Sequence, residues 1–142
     1  KMIKNIEYYK AIKEVFTQRG YDFLVDEGEH INGIIVEKNV GRASGTRILI
    51  GVIEDIVMVR AYIVNTDIEN LETRSKVIAK LNELNESCIF VKFVINDDNK
   101  VYIESNFVVY GEPCAAAKHT LKMFGIFNMF LDDSFSEIVN MV

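Results

Sequence analysis

The 142-residue sequence predicts an α+β domain, an antiparallel sheet of about five to six strands with helices gathered on one face, in the order α-β-β-β-β-α-β-β-α. Three observations carry this. Two pairs of β-type runs are joined by short polar turns: Arg47 to Ile53 with Ile56 to Val64, and Ile89 to Ile95 with Val101 to Val109. Three other segments place apolar residues at helical spacing. A single Pro and the absence of repeats or low-complexity tracts leave no linker, so residues 1–142 read as one domain. A chain of this length can bury about 70% of its unfolded surface and needs no disulfide or metal to hold a core.

The first helix is marked by Ile3, Ile6, Tyr9, Ile12, Val15 and Phe16, with Lys4, Lys10, Lys13 and Glu14 between them, and Gly20 ends it. Tyr21 to Val25 reads as a short strand, Asp26-Glu27-Gly28-Glu29 as a turn, and Ile31 to Lys38 as a β-branched strand. Asn39 to Gly45 reads as a mobile loop, since its glycines and short side chains offer little to bury. The next two strands form a tight hairpin around Glu54-Asp55, although the turn lacks Gly. If Ile53 faces Ile56, the core face carries Ile48, Ile50, Val52, Val57, Val59, Ala61 and Ile63, and the outer face Leu49, Gly51, Met58, Arg60 and Tyr62.

Asn65-Thr66-Asp67 offers N-caps for a second helix whose apolar positions are Ile68, Leu71, Val77, Ile78, Leu81 and Leu84. In the second hairpin the five-residue turn Asn96 to Lys100 places Val91, Phe93, Ile95, Val101, Ile103 and Phe107 on one face. Pro113 opens a final helix from Cys114 to about Leu131 with the stripe Leu121, Phe124, Phe127 and Leu131. Asp132-Asp133-Ser134 then caps a last turn holding Phe135, Ile138 and Val139.

Charge and composition narrow the function classes. The net charge of −5 is spread evenly and no Lys/Arg stripe tracks a phosphate backbone, which argues against a nucleic-acid partner. Apolar runs stop short of the ~18 positions a membrane helix needs, and Lys1 to Lys13 is amphipathic with acidic Glu7, unlike a signal peptide. A cytoplasmic protein without a membrane partner is the expectation. Cys88 and Cys114 lie at spacings that fit neither zinc nor redox motifs and read as buried thiols.

No constellation of residues points to catalysis, a cofactor or a metal. Asp97, Asp98 and Asn99, like Asp26 to Glu29, supply turn chemistry and not the twelve-residue calcium loop. Cys114 and His119 are five apart, off the spacing that aligns side chains on a helix, and His30 stands alone before a strand. Gly41 to Arg47 is an alternative anion loop, with Arg42, Ser44, Thr46 and Arg47 as its polar groups. It lacks the Lys and the following helix of a phosphate-binding loop. The outer sheet face is more informative: Leu49, Met58, Tyr62, Phe90, Val94 and Tyr102 are expected there, mixed with Arg60, Lys92 and Glu104. A solvated antiparallel face is usually more polar, so this set predicts cover by another chain.

Several local patterns resemble the YbjN-like family of bacterial sensory-transduction-regulator-type domains, which share a fold with the type III secretion chaperones. They are Arg19-Gly20-Tyr21-Asp22-Phe23, Val59-Arg60-Ala61-Tyr62-Ile63, Leu81-Asn82-Glu83-Leu84-Asn85, and Phe93 to Glu104 with its turn Asn96-Asp97-Asp98-Asn99-Lys100. Each is a packing or turn pattern, and none carries chemistry. The resemblance implies an α+β domain, often dimeric, that binds other proteins and is not an enzyme; the secretion chaperones of this fold hold unfolded effector segments. The Gly-rich loop Asn39 to Gly45 and the aromatic last helix depart from the family pattern. The expectation is a non-enzymatic protein-binding module, chaperone-like or regulatory. It would be a homodimer acting through an apolar sheet or helix surface, without cofactor.

Overall fold

A computed structural model describes residues 2–40, 43–62, 68, 70–139 and 141. Helix α1 (Met2–Gln18) leads into strands β1 (Leu24–Glu27), β2 (Asn32–Val40), β3 (Ala43–Ile53) and β4 (Ile56–Tyr62). After α2 (Leu71–Ser87) come β5 (Lys92–Ile95) and β6 (Val101–Val108). Then follow α3 (Pro113–Phe130), a π-helical turn (Leu131–Phe135) and the short α4 (Ser136–Val139). The six strands form one antiparallel sheet in the order β1-β2-β3-β4-β6-β5, so the second hairpin enters through β6.

Ile53 does face Ile56, and the register places Ile48, Ile50, Val52, Val57, Val59 and Ala61 in the core, all fully buried. Ile63 lies outside the described residues. The turn reverses the chain without glycine because Glu54 itself takes a left-handed conformation, φ 54°. In the second hairpin Phe93 faces Ile103 and Ile95 faces Val101, and the core side continues through Ser105 and Phe107. Its turn is held by Asn96, whose Oδ1 accepts from the N–H groups of Asp98 and Lys100, both at 3.0 Å.

Helices α1 and α3 lie together against the core face through Tyr8, Ile12, Phe16, Phe124 and Phe127, each removed from water and each contributing about 1.5–3 kcal/mol of burial. Helix α2 packs beside β5 at the sheet edge. There Asn85 closes the last strand: its amide donates to the Phe93 carbonyl at 2.9 Å, and its Oδ1 accepts from the Phe93 N–H at 2.8 Å. Lys80 reaches Glu137 at 2.8 Å and ties α2 to α4.

Several expectations are corrected. The segment Asn39 to Gly45 is not a long loop, because β2 runs to Val40 and β3 begins at Ala43, with Val40 facing Ala43 beyond a bulge. The first strand is Leu24–Glu27, so Asp26 and Glu27 belong to it and the turn follows, closed by the Gly28 N–H on the Ile31 carbonyl at 3.0 Å. The proposed caps Asn65, Thr66 and Asp67 lie outside the described residues. Asn70 caps α2 instead, accepting from Glu72 and Thr73. Leu71, at the first helical position, is 79% exposed and is not a core residue, unlike Val77, Leu81 and Leu84. Asp132, Asp133 and Ser134 do not start a new helix; they sit in the π-helical turn that continues α3. Cys114 is exposed at the start of α3, and Cys88 is only partly buried.

Candidate functional site

The outer sheet face is built by the residues that alternate with the core set. Of the six expected there, Leu49, Met58, Tyr62, Val94 and Tyr102 are present, all half-buried. Phe90 is not. It precedes the first paired residue of β5, so the strand alternation does not bind it, and its ring stacks on Phe130 of α3 with centroids 6.1 Å apart. Two glycines make room at the middle of the face. Leu49 lies over Gly33, and Ile31, from the β1–β2 turn, lies over Gly51, where any side chain would collide with it. The chain therefore covers part of this face itself. The apolar side chains it leaves open include Leu24 at the β1 edge, 54% exposed, and a group of three, Ile53, Ile56 and Val108, adjacent across β3, β4 and β6 and 41%, 43% and 56% exposed.

At the other end of the face stands a polar-aromatic cluster. Arg60 on β4 is directly opposite Glu104 on β6, and Tyr62 is directly opposite Tyr102. The Arg60 Nε and Nη2 both donate to Glu104 Oε2, at 3.1 and 2.6 Å, while Nη1 donates to the Tyr62 hydroxyl at 3.0 Å. The guanidinium carbon lies 4.6 Å from the centre of the Tyr102 ring, and the two tyrosine rings are 5.3 Å apart. With Arg60 and Glu104 only 26% and 16% exposed, the pair is partly shielded from solvent. Burial opposes the Arg60 charge, but the hydrogen bonds to Tyr62 and Glu104 outweigh it and hold its pKa above the ordinary value. Lys92, facing Glu104 from β5, completes a row of alternating charge. The cluster sets a paired guanidinium against two tyrosine rings and is amphipathic.

Of the alternative anion loop, only Thr46 and Arg47 have described side chains. Arg42 and the side chain of Ser44 lie outside the described residues. Thr46 and Arg47 are neighbours on a strand and point to opposite faces. Thr46 is buried on the core side, and Arg47 pairs on the outer side with Glu37 at 3.4 Å. His119 stands edge-on to Phe107 at 5.8 Å. Among the described residues no three His, Cys, Asp or Glu side chains group as metal ligands. No helix of the described residues is long and apolar enough to cross a membrane.

The family model described as "YbjN: Putative bacterial sensory transduction regulator" matches residues 9–138. The chain belongs to the YbjN family. The fold agrees: the solved structure described as "Crystal structure of YbjN, a putative transcription regulator from E. coli" superposes with a TM-score of 0.56 at 15% identity, covering 92% of this chain and 87% of that one. Comparison with curated proteins gives no match. In this YbjN-family domain the fold-bearing patterns fall on packing points. Gly20 ends α1, Asn85 closes β5 and Asn96 builds the second turn, while Arg60 and Tyr62 belong to the outer-face cluster.

Proposed function

We propose that this YbjN-family chain is a non-enzymatic regulatory module that works by binding protein through its outer sheet face, with a second copy of itself as the first partner. The observation that carries this reading is the placement of Arg60 between Tyr62 and Tyr102, on the same face as the exposed Ile53, Ile56 and Val108. Aromatic and Arg side chains held rigid before contact lose little entropy on binding. The family's regulatory description fits such a role.

Burying Met58, Tyr62 and Tyr102 contributes on the order of 1–3 kcal/mol each, against roughly 4–15 kcal/mol of association cost, so several must act together. The test is light scattering with circular dichroism on the wild type and on Met58→Glu, Tyr62→Glu and Val108→Glu. The reading expects a wild-type dimer that each substitution weakens while the spectrum is retained. A monomer throughout removes the homodimer, and dimers unaffected by all three substitutions place the contact elsewhere.

A further inference from the structure

On the helical side of the domain, between the C-terminal end of α1 and the middle of α3, lies a cleft of about 580 Å³. Its size falls within the range of small-molecule sites. The apolar part is Val15, Tyr21 and Leu121. Around it stand Arg19 from the end of α1 and Lys118 and Lys122 from successive turns of α3. No carboxylate lines the cleft, and among the described residues none of these three cations has a carboxylate within 4.0 Å. In a chain with 16 basic and 21 acidic residues, three unpaired cations around one cleft are not an average of the surface.

The end of α1 accounts for little of this charge. Its last carbonyls are already taken by backbone N–H groups, Arg19 on Val15, Gly20 on Thr17 and Tyr21 on Phe16, at 3.0–3.1 Å. A second feature is independent of charge. Gly125 lines the same cleft from within α3, where glycine weakens a helix, and a Cβ there would meet nothing within 4 Å. Packing does not require that glycine, and a larger side chain there would stand in the cleft.

We infer that this cleft binds a small organic anion, with a flat apolar body against Tyr21 and Leu121 and a phosphate, sulfonate or carboxylate head between Arg19, Lys118 and Lys122. The site lies on the helical layer, and the inference does not rest on the outer-face reading. Cations supply the charge-assisted contacts, and the aromatic and aliphatic floor supplies apolar burial for the body.

The probe is anilinonaphthalene sulfonate, with the neutral phenylnaphthylamine as its uncharged counterpart. Both are titrated by fluorescence into the wild type, the double variant Lys118→Gln/Lys122→Gln, and Gly125→Leu. All three positions are exposed, so the fold should survive, as circular dichroism will show. Saturable wild-type binding is expected, weakened about tenfold or more by the loss of two charges and similarly by the leucine that fills the cleft. The neutral probe should bind more weakly to the wild type and respond to Gly125→Leu alone. Wild-type binding that does not saturate, or an affinity unchanged in both variants, overturns the site.

Discussion

Phe16 and Tyr21 meet across the end of α1, with ring centroids 5.5 Å apart, because Gly20 between them turns the chain through φ 89°. The Tyr21 N–H reaches back to the Phe16 carbonyl and the Gly20 N–H to that of Thr17, both at 3.0 Å. These two hydrogen bonds with their apolar contact are the Schellman arrangement that left-handed glycine allows. Both rings then pack on Phe124 of α3, at 5.3 and 5.5 Å. One glycine thus sets how the first helix meets the last.

Gly20→Ala should therefore destabilise by about 1–2 kcal/mol, the cost of holding an L residue in the left-handed region. No steric term adds to it, since nothing lies within 4 Å of the added Cβ. The same change at Gly125 should act in the opposite direction, raising stability by up to about 1 kcal/mol because that glycine lies in a helix interior. Urea denaturation of the two variants checks both signs.

Glu27 gives the domain an acid-sensitive tie between β1 and α1. The Tyr9 hydroxyl donates to Glu27 Oε1 at 2.8 Å and Lys13 Nζ does so at 3.4 Å. First the bond from Tyr9 and then that from Lys13 hold the carboxyl below its ordinary pKa of 4.5. A depressed pKa in the folded state means this contribution is present above pH 4.5 and is lost as the pH falls through the lower folded value. Tyr9→Phe should flatten this part of the acid limb of the stability profile. Denaturation midpoints taken downward from pH 6 should fall less steeply for the variant than for the wild type.

Arg60 and Glu104 should behave as a coupled pair. A double-mutant cycle with Arg60→Met and Glu104→Leu is expected to return a coupling of about 1 kcal/mol, above the usual surface pair because both groups are partly shielded. Additive stabilities in urea denaturation would show that the pair contributes only contact to the face.

Asn85→Ala should cost about 1–3 kcal/mol, since it leaves the Phe93 N–H and carbonyl without their partner. The variant should also self-associate more readily than the wild type, because an unpaired strand edge becomes available. Denaturation and light scattering read the two effects separately.

The hairpins were legible because their alternation is strict: shifting Ile48, Ile50 and Val52 against Val57, Val59 and Ala61 by one residue would expose the whole set. The end of α1 was equally plain, through Gly20. The cap of α2 was not, since Asn70 competes with Asn65, Thr66 and Asp67 and only the backbone geometry chooses among them. Gly41 and Gly45 suggested a longer loop than the bulged ladder of β2 and β3 leaves. Phe90 was misplaced because strand alternation applies only where the ladder begins. On the outer face the apolar excess could be read, but the assembly around Arg60 could not. It depends on β4 lying beside β6 and not β5, a long-range pairing that no local pattern records. The α1–α3 cleft was invisible for the same reason, as Arg19 and Lys122 come to one cleft only in the folded chain.

Asn85 occupies the Phe93 backbone groups at β5, while among the described residues no side chain does the same at β1, so the two edges of the sheet are unequal. A copy joining strand to strand would meet less obstruction at β1, and in doing so would use up its own β1. Such an assembly closes at two chains, with a terminator at each extremity. A polymer would need the Asn85 plug to be withdrawn first.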